Sequence, residues 1–249
     1  GQGLVILLHG APGVGKTSTA GMYKECVAEQ FNKPLFHITC GDLGVSASDV
    51  ESALERSFAL ASRWDCILLL DEADVFLSAR IFLRVLEYYS GCLFLTTNRV
   101  GDFDEALTSR IHLSLYYPPL NLVSTQRVVS LNLQRIEKGL KQKNIELHAD
   151  MVSIGGFIAN YWREHPRARW NGRQIRNACR TALALAEFEA TKMGSPQLAE
   201  QSSSSPQLVS LEARHFKQVA DAYLDFTEYL KDIYGVHADE RAKENFLRA

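Results

Sequence analysis

One eight-residue stretch limits what this chain can become more than any other: Gly10-Ala11-Pro12-Gly13-Val14-Gly15-Lys16-Thr17. It follows an apolar run, Leu4-Val5-Ile6-Leu7-Leu8, and precedes a segment that reads as helix to about Gln30. Strand, glycine-rich turn and helix give the pattern G-x-x-x-x-G-K-[ST] a physical meaning. Glycines let the backbone fold tightly and turn its N–H groups inward around phosphate oxygens. The helix that follows adds the positive end of its dipole. Gly10, Pro12, Gly13, Val14, Gly15, Lys16, Thr17 and Ser18 are the candidate phosphate-binding residues. Lys16 would reach the β- and γ-phosphates of a nucleoside triphosphate, and the Thr17 hydroxyl would ligate Mg²⁺. The competing reading is a plain glycine-rich turn with no ligand.

The rest of the first half supplies a sheet for that turn to grow from. Leu4–His9, Leu35–Cys40, Cys66–Leu70, Cys92–Asn98 and Ile111–Leu115 read as strands. Between them Ser48, with Glu51 three residues on, signals a capping box for a helix through Ala61, and Ile81–Tyr89 reads as a second helix. Cys66–Leu70 is continuously apolar, as a strand buried on both faces requires. Strands alternating with helices predict parallel βαβ units and a doubly wound α/β sheet. Past Pro119 the strand signal fades. Ser124–Lys138, Met151–Trp162, Gly172–Ala190 and Leu211–Tyr234 look helical, and Ile145-Glu146-Leu147 is a short strand candidate. We therefore divide the chain into an α/β part, residues 1–119, and a mostly helical part, residues 120–249, with a polar, serine-rich flexible loop near 193–206.

Composition excludes some classes. No apolar run approaches the roughly 20 residues a membrane span needs. A formal net charge of −2 gives no basic surplus that would argue for nucleic acid. The five cysteines form no C-x-x-C pair, and Cys40, Cys66 and Cys92 lie in or beside apolar runs. Reduced thiols in an intracellular compartment (cytoplasm, nucleus or mitochondrion) fit that usage better than a metal or redox role. The chain starts with Gly and enters a core strand at once, so it reads as a piece of a longer protein.

Three further features bear on the chemistry. The Cys66–Leu70 strand ends in Asp71-Glu72, which brings carboxylates to the edge where the phosphate loop begins. Asp71 would hold Mg²⁺, directly or through water, and Glu72 would polarise the attacking water; the alternative is a buried strand that ends in a surface acidic turn. Asp71-Glu72-Ala73-Asp74 also spells a helicase motif, but such an enzyme needs two sheets and this chain has room for one. The next strand ends in Thr96-Thr97-Asn98, and an Asn there can hydrogen-bond the γ-phosphate or the attacking water. Then comes Asp104-Glu105-Ala106-Leu107 with Arg110 three residues beyond.

In this order the motifs resemble the AAA+ ATPase family: phosphate loop, Asp-Glu strand, sensor-1 Asn98, and the run that carries an arginine finger. The resemblance covers about residues 1–190 and implies an α/β ATPase domain followed by a helical lid. It implies that ATP with Mg²⁺ binds there, that Arg110 reaches into a neighbouring subunit's nucleotide, and that Arg173, in the helix opened by Asn171-Gly172, is the sensor-2 residue of the lid. For Arg110 the alternative is a salt bridge at the strand start; for Arg173 it is a solvated residue in a first helical turn, although that placement opposes the helix dipole. Arg99 is read as structural. The expected working form is a self-assembled ring, a hexamer, acting on an unidentified protein client. Two rival expectations are a nucleotide-gated assembly protein with little turnover and a DNA-associated ATPase of the same family.

The match departs from the family in two places. The loop after the second strand, Gly41–Ala47, has no aromatic residue for gripping an unfolded peptide in a pore. It looks more like that of a mitochondrial AAA translocase group that handles folded cargo, and closer still to poorly characterised fungal AAA ATPases. The span from Asp71 to Gly91 is also shorter than usual. Either a pore-facing loop has been lost or residues are missing from the chain near Ala79–Ile81; the expectation is the latter.

Overall fold

In a computed structural model of the chain, the described residues are 3–17, 33–43, 47–73, 80–99, 101, 103, 105–193 and 207–235. The helix expected after Thr17, Ser18, Cys26, Asp104, the expected gap near Ala79–Ile81 (apart from the helical backbone from Arg80), the 193–206 loop beyond Met193 and the charged tail lie outside them. Two compact units are present, one ending at Pro119 and the other beginning at Leu120.

The first unit is built on five parallel strands: β1 (Leu4–Gly10), β2 (Leu35–Ile38), β3 (Ile67–Leu70), β4 (Cys92–Thr97) and β5 (Leu113–Tyr117). Their order is β2-β3-β4-β1-β5. Successive side chains of a strand point to opposite faces, so strands covered on both faces are apolar on consecutive positions, as Val5–Leu8, Ile67–Leu70 and Leu93–Leu95 are. Val5, Leu7, Leu68, Leu70, Leu93 and Leu95 are buried on one face. Leu8, Ile67, Leu69 and Phe94 are buried on the other. The first face packs under α1 (Ala47–Arg63) and α2 (Arg80–Tyr88), which contribute Leu54, Phe58, Phe82 and Leu86 to its core. The helix α1 starts at Ala47, so Ser48 lies inside its first turn rather than before it. A single turn, α3 (Glu105–Thr108), leads towards β5, which begins two residues later than its apolar run suggests.

Parallel pairing puts every strand's carboxyl end on one edge. The chain leaves β1 for the β2 edge, whereas from β4 it crosses to β5 on the other side of β1. Neighbouring strands whose connections diverge in this way mark the switch point where open α/β sheets bind ligands.

Below the opposite edge lies Tyr89, 5 % exposed and edge-on to Phe58 with ring centroids 4.9 Å apart. Its hydroxyl finds no hydrogen-bond partner among the described residues. Burial, with small additions from Cys92, Cys66 and Asp65, pushes this phenol up to about 12. An unpaired buried hydroxyl costs about 1–3 kcal/mol. Tyr89→Phe keeps the ring and removes the unpaired atom, so it should leave the melting temperature unchanged or raise it. A clear drop on thermal denaturation would mean that the hydroxyl has a partner.

Among the described residues the second unit contains four helices, α4 (Leu122–Lys141), α5 (Met151–Glu164), α6 (Gly172–Met193) and α7 (Ala213–Tyr234), and two strands, β6 (Ile145–Ala149) and β7 (Gln207–Leu211). Side-chain caps set the helix starts. Asn121 Oδ1 accepts from the Ser124 N–H at 2.8 Å, and Asp150 Oδ1 from the Ser153 N–H at 3.1 Å. At α6, Asn171 Oδ1 accepts from the Gln174 N–H (2.9 Å) while Gln174 Oε1 accepts from the Asn171 N–H (2.8 Å). Gln174 then donates to the Tyr223 hydroxyl at 2.7 Å, which ties α6 to α7. Gly235, at φ 74°, ends α7.

Here the structure adds an element that the helical expectation lacks. β7 pairs in parallel with β6, Leu147 opposite Val209 and Ala149 opposite Leu211. Val209 and Leu211 are fully buried with Ile154, Ile175 and Phe216, while Leu208 faces out. The strand supplies core that four helices alone would leave open. Among the described residues no helix is long and apolar enough to cross a membrane.

Candidate functional site

The glycine-rich stretch leaves the end of β1 as a tight turn whose glycines carry the unusual backbone: φ is 146° at Gly10, 75° at Gly13 and 104° at Gly15. A side chain at Gly10 would run into the Tyr117 carbonyl oxygen on β5, so the turn can be this close to the sheet only with glycine there. Pro12 and Val14 occupy the turn between, and Lys16-Thr17 begin a helical segment.

Lys16 is 5 % exposed. Its ammonium donates to the Gly10 carbonyl (2.8 Å), the Ala11 carbonyl (2.7 Å) and Asn98 Oδ1 (2.7 Å). A buried ammonium needs such partners. These three oxygens hold the charge at the mouth of the turn. His9, next to it on β1, stays below the ordinary imidazole range, because burial disfavours its charged form and the Lys16 ammonium adds to that.

Asp71 and Glu72 follow β3 at the same edge. The Asp71 N–H donates to the Ile38 carbonyl at 3.0 Å, which carries the β2–β3 pairing one residue past the strand. Asp71 Oδ1 accepts from the Thr17 hydroxyl at 3.0 Å and from the Thr96 hydroxyl. Its Oδ2 faces His37 Nε2 at 4.0 Å. Glu72 turns with φ 55°, a conformation that non-glycine residues adopt rarely and mostly where the surroundings demand it. Its N–H donates to the Thr96 hydroxyl at 3.1 Å, and its side chain is exposed.

The structure therefore brings together Lys16 with Asn98, and Thr17 with Asp71 and Glu72. Thr17 Oγ1 and Asp71 Oδ1 are adjacent hard oxygens, the donor type Mg²⁺ takes when substrate phosphates and waters complete its shell. Among the described residues no group of three His, Cys, Asp or Glu side chains could hold a metal ion by itself.

Arg110 lies elsewhere. It precedes β5, whose start is tied to the start of β1 by the His112 N–H on the Val5 carbonyl at 2.9 Å. The phosphate turn leaves the far end of β1. At about 3.3 Å per strand residue, Arg110 is on the order of 15–20 Å from its own Lys16, beyond the reach of one side chain. Its Nη1 donates to the Ala106 carbonyl at 2.6 Å, and its Nη2 is 3.6 Å from Glu87 Oε2. Arg99, whose N–H donates to the Thr97 hydroxyl at 2.9 Å, is exposed beside Asn98. Arg173 belongs to the second unit, exposed in the first turn of α6.

Two residues at the site, Thr96 and His37, had no role in the sequence reading. Thr96 had a faint signal as a hydroxyl inside an otherwise apolar strand, but only the β3–β4 pairing shows what it touches. Cys66, Cys92 and Cys179 are free thiols, and burial raises each of them, Cys179 to about 12.

Residues 6–119 match the family model described as the ATPase family associated with various cellular activities (AAA), and residues 121–237 match the fungal AAA+ ATPase lid domain. No curated protein matches the sequence at a significant level. Among solved structures, the FIGL-1 AAA domain in complex with ADP is similar with a TM-score of 0.61 and 21 % identity, covering 88 % of this chain and 71 % of that one. A second structure of the FIGL-1 AAA domain gives 0.60 and 21 %, with 92 % and 77 % covered. A structure describing katanin self-assembly gives 0.59 and 20 %, with 88 % and 72 % covered.

Proposed function

The chain belongs to the AAA+ ATPases, nucleotide-binding P-loop enzymes that hydrolyse ATP, and we propose that it does so as a ring whose subunits complete one another's sites and remodel a protein client. The phosphate turn and Lys16 hold the β- and γ-phosphates, with Lys16 exchanging loop carbonyls for phosphate oxygens. Thr17 and Asp71 would hold Mg²⁺, which when bound would neutralise charge on the phosphates. Glu72 orients and deprotonates the attacking water. Asn98 fixes Lys16 and the γ-phosphate side of the site. Arg173 reports on the nucleotide from the lid, and Arg110 serves the neighbour's nucleotide.

The observation that carries the shared site is the position of Arg110. It stands at the amino edge of the sheet, while Lys16, Asp71 and Asn98 gather at the carboxyl edge. An arginine in that place can stabilise phosphoryl transfer only in another copy. Self-assembly is described for the katanin structure that the fold resembles, and the same behaviour, most simply as a hexamer, is proposed for this chain.

The test is phosphate release across a protein concentration series. Specific activity should climb as subunits assemble and then level off, in step with the assembled fraction seen by light scattering. A specific activity independent of concentration, with the protein monomeric throughout, would rule out the shared site. Assembly on ATP with negligible phosphate release would instead favour a nucleotide-gated scaffold.

A further inference from the structure

Asp71 and Glu72 follow β3, Lys16 follows β1, and β4 lies between those strands. Two residues at the end of β4 reach both sides. Asn98 accepts from the Lys16 ammonium. Thr96, 2 % exposed, reaches the other way. Its hydroxyl donates to Asp71 Oδ1 and accepts from the Glu72 N–H at 3.1 Å. A hydroxyl has one donor and two acceptor lone pairs, so it can make both bonds at once.

We propose that Thr96 is a positioning residue for ATP hydrolysis: its buried hydroxyl sets the Asp71 carboxylate and pins the Glu72 backbone in its left-handed turn. The inference rests on the roles given to Asp71 and Glu72 above and adds a residue that acts through them.

The physical argument has two steps. Asp71 Oδ1 receives hydroxyls from both Thr17 and Thr96, so two donors on different elements fix the rotation of that carboxylate. Its other oxygen faces His37 Nε2 at 4.0 Å, and Oδ1 is held beside Thr17 Oγ1, where a cation or a cation-bound water would sit. Glu72, at φ 55°, stands in a region that costs a non-glycine residue free energy unless something holds it there. The bond from its N–H to Thr96 is such a hold. Without the hydroxyl the Glu72 peptide can relax to an ordinary conformation, which swings its side chain away from the γ-phosphate. Misplacement of about 1 Å can cost on the order of a hundredfold in rate.

The experiment compares Thr96→Val, which keeps the shape and removes the hydroxyl, with Thr96→Ser, which keeps the hydroxyl. Turnover, the Mg²⁺ concentration that half-saturates binding of a non-hydrolysable ATP analogue, and the melting temperature are read for each. Thr96→Val should lose turnover by about ten- to a hundredfold and need several-fold more Mg²⁺, while the analogue without Mg²⁺ binds as it does to the native chain. Thr96→Ser should restore both. If Thr96→Val does not fold, Thr96→Ala takes its place in the same comparison.

Native turnover and native Mg²⁺ dependence in the hydroxyl-free variant would overturn the proposal. So would equal losses in the Ser variant, which would show that the methyl group and packing matter instead. Glu72→Gln is run alongside. If it too keeps native turnover, the failure lies with the role of Glu72; if it is inactive while Thr96→Val is active, only the inference about Thr96 fails.

Discussion

Glu72→Gln is expected to bind ATP as the native chain does and to lose turnover by about 10²–10⁴-fold, the usual contribution of a positioned general base. The substitution is nearly isosteric. Lys16 keeps its bonds to Gly10, Ala11 and Asn98, and Asp71 keeps those from Thr17 and Thr96. The backbone turn at residue 72 is held by its N–H, which Gln retains. The side chain is exposed, so the fold should be undisturbed. What disappears is the carboxylate that takes a proton from water. Nucleotide binding by equilibrium fluorescence and single-turnover phosphate release separate the two effects. Lost affinity would move Glu72 into the binding machinery, and native turnover would remove it from the chemistry.

How much of this site the sequence displays depends on distance along the chain. The phosphate turn is one contiguous motif whose fixed positions are dictated by local backbone chemistry, and the structure has the left-handed glycines at Gly10, Gly13 and Gly15 that such a turn requires. The sheet is legible for a related reason. A strand buried on both faces has to be apolar along most of its length, as β3 is throughout and as β1 and β4 are up to Leu8 and Leu95. β7 is hard to see because Gln207–Leu211 is five residues long and abuts a serine-rich stretch. Its partner β6 lies some sixty residues earlier, and only that pairing explains why Val209 and Leu211 are buried. Thr96 shows the same limit within the site. One threonine beside another looks like ordinary strand composition until the β3–β4 register places it against Asp71. A residue such as Arg110 is different again: its neighbours in sequence suggest a role, but among the described residues its partners are the Ala106 carbonyl and Glu87.

Arg110→Ala is the substitution that tests that role. The loss expected is on the order of 10³-fold or more in turnover, the range reported for arginines that stabilise phosphoryl transfer. ATP affinity should hold, because Arg110 is too far from its own phosphate turn to contribute there. Stability should also hold. Glu87 is 59 % exposed, and an ion pair of 3.6 Å at that exposure contributes little. Loss of turnover alone does not prove action across a subunit boundary, but mixing does. A ring assembled from Arg110→Ala and Glu72→Gln subunits contains some interfaces where an intact Glu72 faces an intact Arg110 from the neighbour. Each variant alone has no such interface. Mixing the two inactive proteins should therefore restore a measurable fraction of native turnover, greatest at a balanced ratio. If Arg110 acted within its own subunit, or only held α3 and β5 in place, every subunit in the mixture would still lack one required residue, and the mixture would stay inactive.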